Sequence, residues 1–364
     1  MNDYFSDSFN GNEASWKKWK EVFDVLGIAK SGGGSIETQV LGITNSEDLV
    51  KLRALAELCS NEFFDDKSLL VVAWRRIMEV LEMRKKVGEV KGEKEEGGAR
   101  ELEILDACAA LGTACGFVGN FGDAERFYKR VKEGYEEHLG PDDAKTLDAT
   151  HSFILSTNDD GRRTEKFRDL VKRFERALGD ENVVTLRTLN ALGGRLIENK
   201  QYEEAKEVHE GCLAGRMKVL GEDHKLTLLT LNNLGIVYKK LENNEKALES
   251  HERALKGKEK TLGENHPDTL GTVMNIANIY KRMEDYGKAE ELYQRALMGY
   301  EAQLGIDHKH TKICARNFSI CLEDSGNSKR LAGLEEAYPR LYENGFVHGE
   351  SEEDESDDED EGDY

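Results

Sequence analysis

Proline is almost absent from this sequence, with three residues in 364. Proline removes a backbone donor and kinks helices, so its scarcity leaves long stretches that can stay helical. The residues that favour helix, such as Leu, Ala, Glu, Lys and Arg, are abundant, and nothing in the composition favours a β-rich fold. The composition therefore predicts an all-α protein.

Basic residues are also in short supply, because 51 Lys and Arg stand against 72 Asp and Glu and the net charge is −21. Nucleic acids bind to positive surfaces, so this balance argues against a nucleic-acid partner. Much of the excess is local: residues 350–364 hold eleven acids and no base, which leaves about −10 for the rest. We expect residues 346–364 to form a disordered acidic tail. Ser351 and Ser356 are candidate phosphorylation sites there, because acids follow each of them.

The sequence has no CxxC pair, and no stretch approaches the 18 or so apolar residues that span a membrane. The amino terminus has no basic region followed by an apolar run, so we expect a cytoplasmic protein. The cysteines are scattered, and several fall on apolar helical positions, so we expect reduced core thiols and no metal site. The six are Cys59, Cys108, Cys115, Cys212, Cys314 and Cys321.

An internal repeat is the strongest feature that is present. Leu-Gly pairs recur with glycine spacings of 39, 42, 42 and 42, and a threonine stands six residues after each glycine. We expect each Leu-Gly to end one helix and each threonine to cap the next. The glycines are Gly140, Gly179, Gly221, Gly263 and Gly305, and the threonines are Thr146, Thr185, Thr227, Thr269 and Thr311.

Small and apolar residues keep the same register inside each period, for example Leu234, Gly235 and Ala247 in one copy. Small residues are needed where the two helices of a pair approach closely. This spacing is typical of tetratricopeptide helix pairs, here with a period of 42 residues. We predict about six pairs and a divergent final pair. The predicted repeats are 47–88, 101–140, 146–179, 185–221, 227–263 and 269–305, with the final pair at 311–345 and a loop insertion at 88–100.

Residues 1–46 precede the predicted solenoid of residues 47–345. Trp16, Trp19 and Phe23 lie at helical spacing among lysines, and three glycines between Ser31 and Ser35 predict a flexible joint. Such an amphipathic helix can lie on a membrane surface or cover the apolar end of the first repeat. Solenoids require such covers, so we expect a cap rather than membrane binding.

Two copies of the repeat carry the motifs LGEDHKLTLLTLNNLGIVY and LGENHPDTLGTVMNIANIY, which begin at Leu220 and Leu262. This pattern resembles the tetratricopeptide repeats of kinesin light chains and their relatives, and the resemblance covers residues 101–345. The resemblance implies a right-handed superhelix in which the first helix of each pair lines a groove. Such grooves hold short extended peptides, often acidic ones, and groove asparagines bind the peptide backbone.

The groove columns of that family can be carried over to this sequence position by position. The resemblance then implies peptide-binding amides and, late in the same helices, positive charges. The alternative is a structural role, in which the asparagines cap helices or form hydrogen bonds with a neighbouring repeat, and the cations are solvated side chains at the helix ends. The amides are Asn190, Asn232, Asn233, Asn275, Asn278 and Asn317, and the cations are Lys239, Lys281, Arg282 and Arg316.

No GxSxG, P-loop or HExxH motif is present, so we expect no catalysis and no cofactor. His224, His266 and His308 recur with the repeat, too far apart to share an ion, and we assign them to loop packing. We therefore predict a non-catalytic scaffold that binds an extended, in some cases acidic, peptide. The alternatives are a kinesin light chain-like cargo adaptor, with a motor heavy chain as partner, and a self-assembling structural repeat protein.

Overall fold

The structure, a computed structural model, describes residues 67–91, 97–157 and 161–339, together with residues 49, 50, 52, 53, 56 and 57. It forms two compact units, with the boundary in the sequence between Ala177 and Leu178. All regular secondary structure of the described residues is helical. The predicted all-α class is therefore confirmed.

Thirteen helices of the described residues have defined bounds, five in the first unit and eight in the second. Consecutive helices pack against each other through all eight helices of the second unit and through the first four of the first unit, so successive pairs stack as a solenoid within each unit. The first unit holds α1 Ser68–Lys91, α2 Gly97–Phe117, α3 Phe121–Leu139, α4 Ala144–Ser156 and α5 Arg163–Leu178. The second holds α6 Val183–Glu198, α7 Tyr202–Leu220, α8 Lys225–Lys240, α9 Asn244–Thr261, α10 Pro267–Arg282, α11 Tyr286–Leu304, α12 Lys309–Asp324 and α13 Ser328–Ala337.

Helix α1 packs against a short helical stretch that precedes it. Leu49, Leu52 and Ala56 are helical and buried, and they join the apolar cluster of α1 around Ile77. This contact is the kind that two helices of one pair make. The amphipathic segment around Trp16 and the acidic tail lie outside the described residues.

The interval 88–100, predicted as a loop, is partly helical. Helix α1 continues to Lys91, and α2 already begins at Gly97. Glu and Lys have high helix propensity, so Glu89 and Lys91 can continue α1 past Gly88.

The recurrent threonines lie at the third position of their helices, so the prediction that they are amino-terminal caps is wrong. In α8 the Thr227 hydroxyl donates to the carbonyl oxygen of Gly221 over 2.8 Å, and Thr269 bonds Gly263 in the same way over 2.9 Å. The same bond forms in all five copies. Each buried threonine therefore fastens the connection before its helix to the first turn of that helix.

Histidines provide the amino-terminal caps of α8, α10 and α12, which corrects their assignment to loop packing. The Nδ1 atoms of His224, His266 and His308 each accept a hydrogen bond over 3.2 Å from the backbone N–H two residues on. A helix start leaves such N–H groups without partners inside the helix. Asp143 and Asn182 cap α4 and α6 through side-chain oxygens, the commoner solution.

Close approach within a pair explains some of the small residues. A Cβ atom built on Gly235 of α8 would lie 2.4 Å from the His251 ring of α9, and one built on Gly193 of α6 would lie equally close to His209 of α7. These distances leave no room for a side chain. The glycine of the Leu-Gly pair is required by its backbone conformation and not by close packing. Gly221 has φ 89°, a conformation that other residues rarely adopt.

The five described cysteines are buried, and none of them forms a disulfide with another described residue, whereas Cys59 lies outside the described residues. Burial raises the pKa of Cys108 to about 11 and that of Cys321 to about 12. These thiols therefore stay protonated, as expected of core residues.

Candidate functional site

All ten predicted groove residues lie in the second unit, on the first helix of a pair. Asn190 is on α6, and α8 carries Asn232, Asn233 and Lys239. Helix α10 carries Asn275, Asn278, Lys281 and Arg282, and α12 carries Arg316 and Asn317.

Four of the asparagines form hydrogen bonds between neighbouring pairs. Asn233 Nδ2 donates to Asn190 Oδ1 over 3.4 Å, and Asn275 Nδ2 donates to Asn232 Oδ1 over 3.3 Å. The two partners are 43 residues apart in both cases. The alternative interpretation, in which amides link neighbouring repeats, therefore describes these four side chains in the structure.

The amide ladder stops at α12 because the position 43 residues before Asn317 holds Met274, which has no amide to accept a bond. Met274 is buried, whereas Asn317 is only half-buried. Asn317 instead lines a cleft.

The cleft is a shallow depression between side chains of α8, α10 and α12, and the space between them is about 300 Å³, including space open to solvent. Within the described part of the chain, its lining has three cations, two amides and no acid. These are five of the ten residues that the sequence selected. They are Lys239, Asn278, Lys281, Arg282 and Asn317.

Asn278 is held by a residue that the sequence reasoning did not select. The hydroxyl of buried Tyr293, on α11, donates to Asn278 Oδ1. This bond occupies one of the two lone pairs of the amide oxygen and fixes the side chain, and the Nδ2 group can donate to a ligand. The sequence could have pointed to Tyr293, because this residue occupies the same repeat column as His209 and His251.

The cations of the cleft differ in their surroundings. Arg282 Nη2 lies 3.6 Å from Glu242 Oε1, a carboxylate whose side chain is 83% exposed. Within the described part of the chain Lys281 has no ion pair. Lys239 is buried, at 7% exposure. An exposed pair with Glu242 is weak, so the cleft keeps a positive field.

Lys239 also affects the histidine beneath it. Burial, and next the charge of Lys239, lower the pKa of His251 to about 3. His251 is therefore neutral near pH 7, and its Nδ1 lies 3.1 Å from Asn232 Oδ1. Asn232 thus has a second fixed partner, which holds it in the ladder.

Arg316 is half-buried on α12 and is not part of the cleft lining. Among the described residues no group of three or more His, Cys, Asp or Glu side chains is placed to bind a metal ion. No helix in the described part of the chain is long and apolar enough to cross a membrane.

Comparison with known proteins identifies the repeats. Models of the tetratricopeptide repeat match residues 104–144, 184–260 and 268–330. The matched stretches contain the pairs α6–α7, α8–α9 and α10–α11 and most of the pairs α2–α3 and α12–α13. The chain therefore contains tetratricopeptide repeats, and its fold is a solenoid of such helix pairs. A search of curated proteins finds no match.

Solved structures share this fold at low sequence identity. The Rap conjugation gene regulator of the plasmid pLS20, in complex with the Phr* peptide, is 14% identical with a TM-score of 0.53. That likeness covers 88% of this chain and 86% of the other. The apo quorum sensor NprR from B. thuringiensis is 13% identical with a TM-score of 0.52, covering 90% of this chain and 99% of its own. At these identities the likeness shows the fold alone.

A third structure contains nearly identical TPR-like repeats of a putative kinesin light chain from Podosopora anserina. It is 20% identical, covers 56% of this chain and 98% of its own, and has a TM-score of 0.48. No argument is built on so partial a likeness.

Proposed function

We propose that the second unit binds an extended segment of another protein across α8, α10 and α12, with an acidic group of that segment in the cleft. The observation that carries the proposal is the lining of the cleft, where the described residues are three cations and two amides, without an acid. The chain as a whole carries a net charge of −21, but these three cations lie close together. Like charges at short distance repel one another. An anionic ligand relieves that crowding.

The geometry of the stacked pairs suits an extended peptide. Neighbouring packed helices lie roughly 10 Å apart, and an extended chain advances about 3.3 Å per residue. Each further pair therefore meets every third residue of the ligand. The Nδ2 groups of Asn278 and Asn317 are donors for its backbone carbonyls, which have no partner within an extended chain.

The cleft favours an anion over a neutral group because its cations form charge-assisted hydrogen bonds with an anion. Charge-assisted hydrogen bonds contribute about 1.5–3 kcal/mol each, roughly twice the contribution of neutral ones. Lys281 and Arg282 lie at the end of α10, where a cation is also favoured by the helix dipole in the unbound protein. The free protein therefore tolerates these charges, and the ligand adds the charge-assisted bonds.

The proposed role is non-catalytic, with a protein or peptide as partner, and the cytoplasm is the proposed compartment. The tetratricopeptide solenoid supports this role because it offers an open stacked surface for a chain-like ligand. The solved structure of the same fold in complex with the Phr* peptide supports a ligand of this kind.

Binding to immobilised peptides of about ten residues tests the proposal, since that length spans three pairs. The probes are acidic peptides of varied sequence and matched peptides in which each acid is its amide. We expect the full-length protein to bind members of the acidic set, with affinity reduced about tenfold by Lys281→Gln. The control Lys256→Gln removes one exposed cation from α9 and should leave affinity unchanged. Equal binding by Lys281→Gln and wild type would place the ligand elsewhere.

The kinesin light chain type of the repeat, and a role as motor cargo adaptor, remain predictions from the motif. Co-purification of a motor heavy chain with the full-length protein tests that role. The third hypothesis, self-assembly, predicts a mass in solution that is a multiple of 41.0 kDa. A monomeric mass without a motor chain contradicts both.

A further inference from the structure

We propose that the acidic tail of the same chain, residues 346–364, occupies the cleft when no partner is bound. This inference rests on the proposed function, because it assigns a regulator to the same surface. The structure contributes the cleft, and the sequence contributes an occupant of opposite charge.

Charge complementarity is the first argument. Residues 350–364 carry eleven acids and no base, and the described residues that line the cleft include three cations and no acid. Lys281, Arg282 and the Nδ2 group of Asn278 can donate hydrogen bonds at the cleft, while ionised carboxylates only accept them. The tail therefore offers the same chemistry as the proposed acidic ligand.

Reach is the second argument. Helix α13, which ends at Ala337, is the partner of α12, the helix that carries Asn317. Tyr338 follows α13 and is buried against the last pairs, where its hydroxyl donates to Glu301. Glu301 lies near the carboxyl end of α11, whereas Lys281 and Arg282 directly precede the start of that helix, so the tail must run back roughly 20 Å along the helix to reach the cleft. The twelve steps from Tyr338 to Glu350 can span up to about 40 Å, which covers that distance and the roughly 10 Å between neighbouring packed helices.

Tethering is the third argument. A group joined to its site by a short linker has an effective concentration in the millimolar range. A weak contact between carboxylates and the cleft is then occupied most of the time, although the same segment added in trans binds poorly. An external ligand must displace the tail, so its apparent affinity falls by the factor that the tail contributes.

Photo-crosslinking of the full-length protein tests the inference directly. A photoreactive p-benzoylphenylalanine replaces Ser356, and tryptic mapping locates the crosslinks. We expect crosslinks within one monomer to the segments of α10 and α12 that carry Lys281 and Asn317. The yield should fall about fivefold in Lys281→Gln/Arg282→Gln and in about 1 M NaCl, where the screening length is about 3 Å. The charge-matched control Lys129→Gln/Lys256→Gln, at exposed positions, should keep the wild-type yield.

Three crosslinking outcomes would overturn the proposal. The crosslinks could map to another surface, or their yield could be the same in the two charge-matched variants. A dimer band whose yield rises with protein concentration would instead assign the tail to a second copy of the chain.

Competition separates this inference from the proposed function. The probe is a fluorescent peptide with the sequence of residues 349–364, added to full-length protein whose eleven tail acids are changed to amides. We expect it to bind this variant about fivefold more tightly than wild type, and Lys281→Gln to remove the difference. Equal binding by the two proteins would reject the tail as competitor while leaving the cleft as an acidic-peptide site. Crosslinks that depend on charge, without binding of any external peptide, would reject the proposed function alone.

Discussion

At the scale of single residues, the second unit buries two histidines in the column that faces the first helix of each pair. His209 and His251 are fully buried in α7 and α9. Burial, and next the charge of Arg216, lower the pKa of His209 to about 4. Neither ring nitrogen of His209 has a hydrogen-bond partner within the described residues. Both imidazoles are therefore neutral in the folded protein near pH 7.

The stability of the second unit should therefore fall in acid. A folded-state pKa below the ordinary value of 6.5 means that the unfolded chain binds protons more readily. The contribution is complete above pH 6.5 and is lost as the pH falls from 6.5 towards 4. We expect each histidine to cost about tenfold in the folding equilibrium per pH unit in that window, measured by urea unfolding.

The variant His209→Phe controls for other titrating groups. The equivalent position of the first unit is already Phe167, which is fully buried, so the ring is compatible with this kind of pair. We expect a shallower loss of stability between pH 6.5 and 4 in the variant. An unchanged slope would show that His209 titrates normally in the folded protein.

At the scale of helices, the sequence predicted the starts and ends well but assigned the wrong capping residues. Gly221 and its equivalents marked each connection, because only glycine readily adopts their positive φ. Thr227 was taken as the cap since threonine ranks high among capping residues. The cap is His224, three residues earlier, because an imidazole Nδ1 can accept the same bond. The capping preference of a residue type does not by itself reveal which side chain reaches the free backbone N–H at the start of the helix.

The threonine bond yields a prediction at this scale. Thr227 is fully buried and donates to Gly221 over 2.8 Å, so Thr227→Val keeps the shape and removes the bond. We expect a loss of about 1 kcal/mol in unfolding free energy, measured by urea denaturation of the full-length protein. The variant Thr261→Val, on α9, removes a hydroxyl that bonds within its own helix and should cost less. A larger loss of unfolding free energy in Thr261→Val than in Thr227→Val would contradict the role of Thr227 in stabilising the connection between α7 and α8.

At the scale of the whole molecule, the family resemblance, carried over by aligning the repeats, selected five residues that meet in one cleft. Lys239 and Lys281 share a column, and the stacking of pairs brings columns together. The amide ladder was not predictable in this way. Its partners are 43 rather than 42 residues apart, which depends on how far neighbouring helices are offset along their axes. That offset is set by packing and is not visible in a single repeat.

The central claim is that the cleft binds an acidic group of an extended peptide. The most direct measurement is a double-mutant cycle between Lys281 and one acidic residue of a bound peptide, followed by titration calorimetry of the full-length protein. The account predicts a coupling energy of about 1–3 kcal/mol for the acid that enters the cleft, and less for its neighbours. A coupling energy near zero for every acid of the peptide would contradict it.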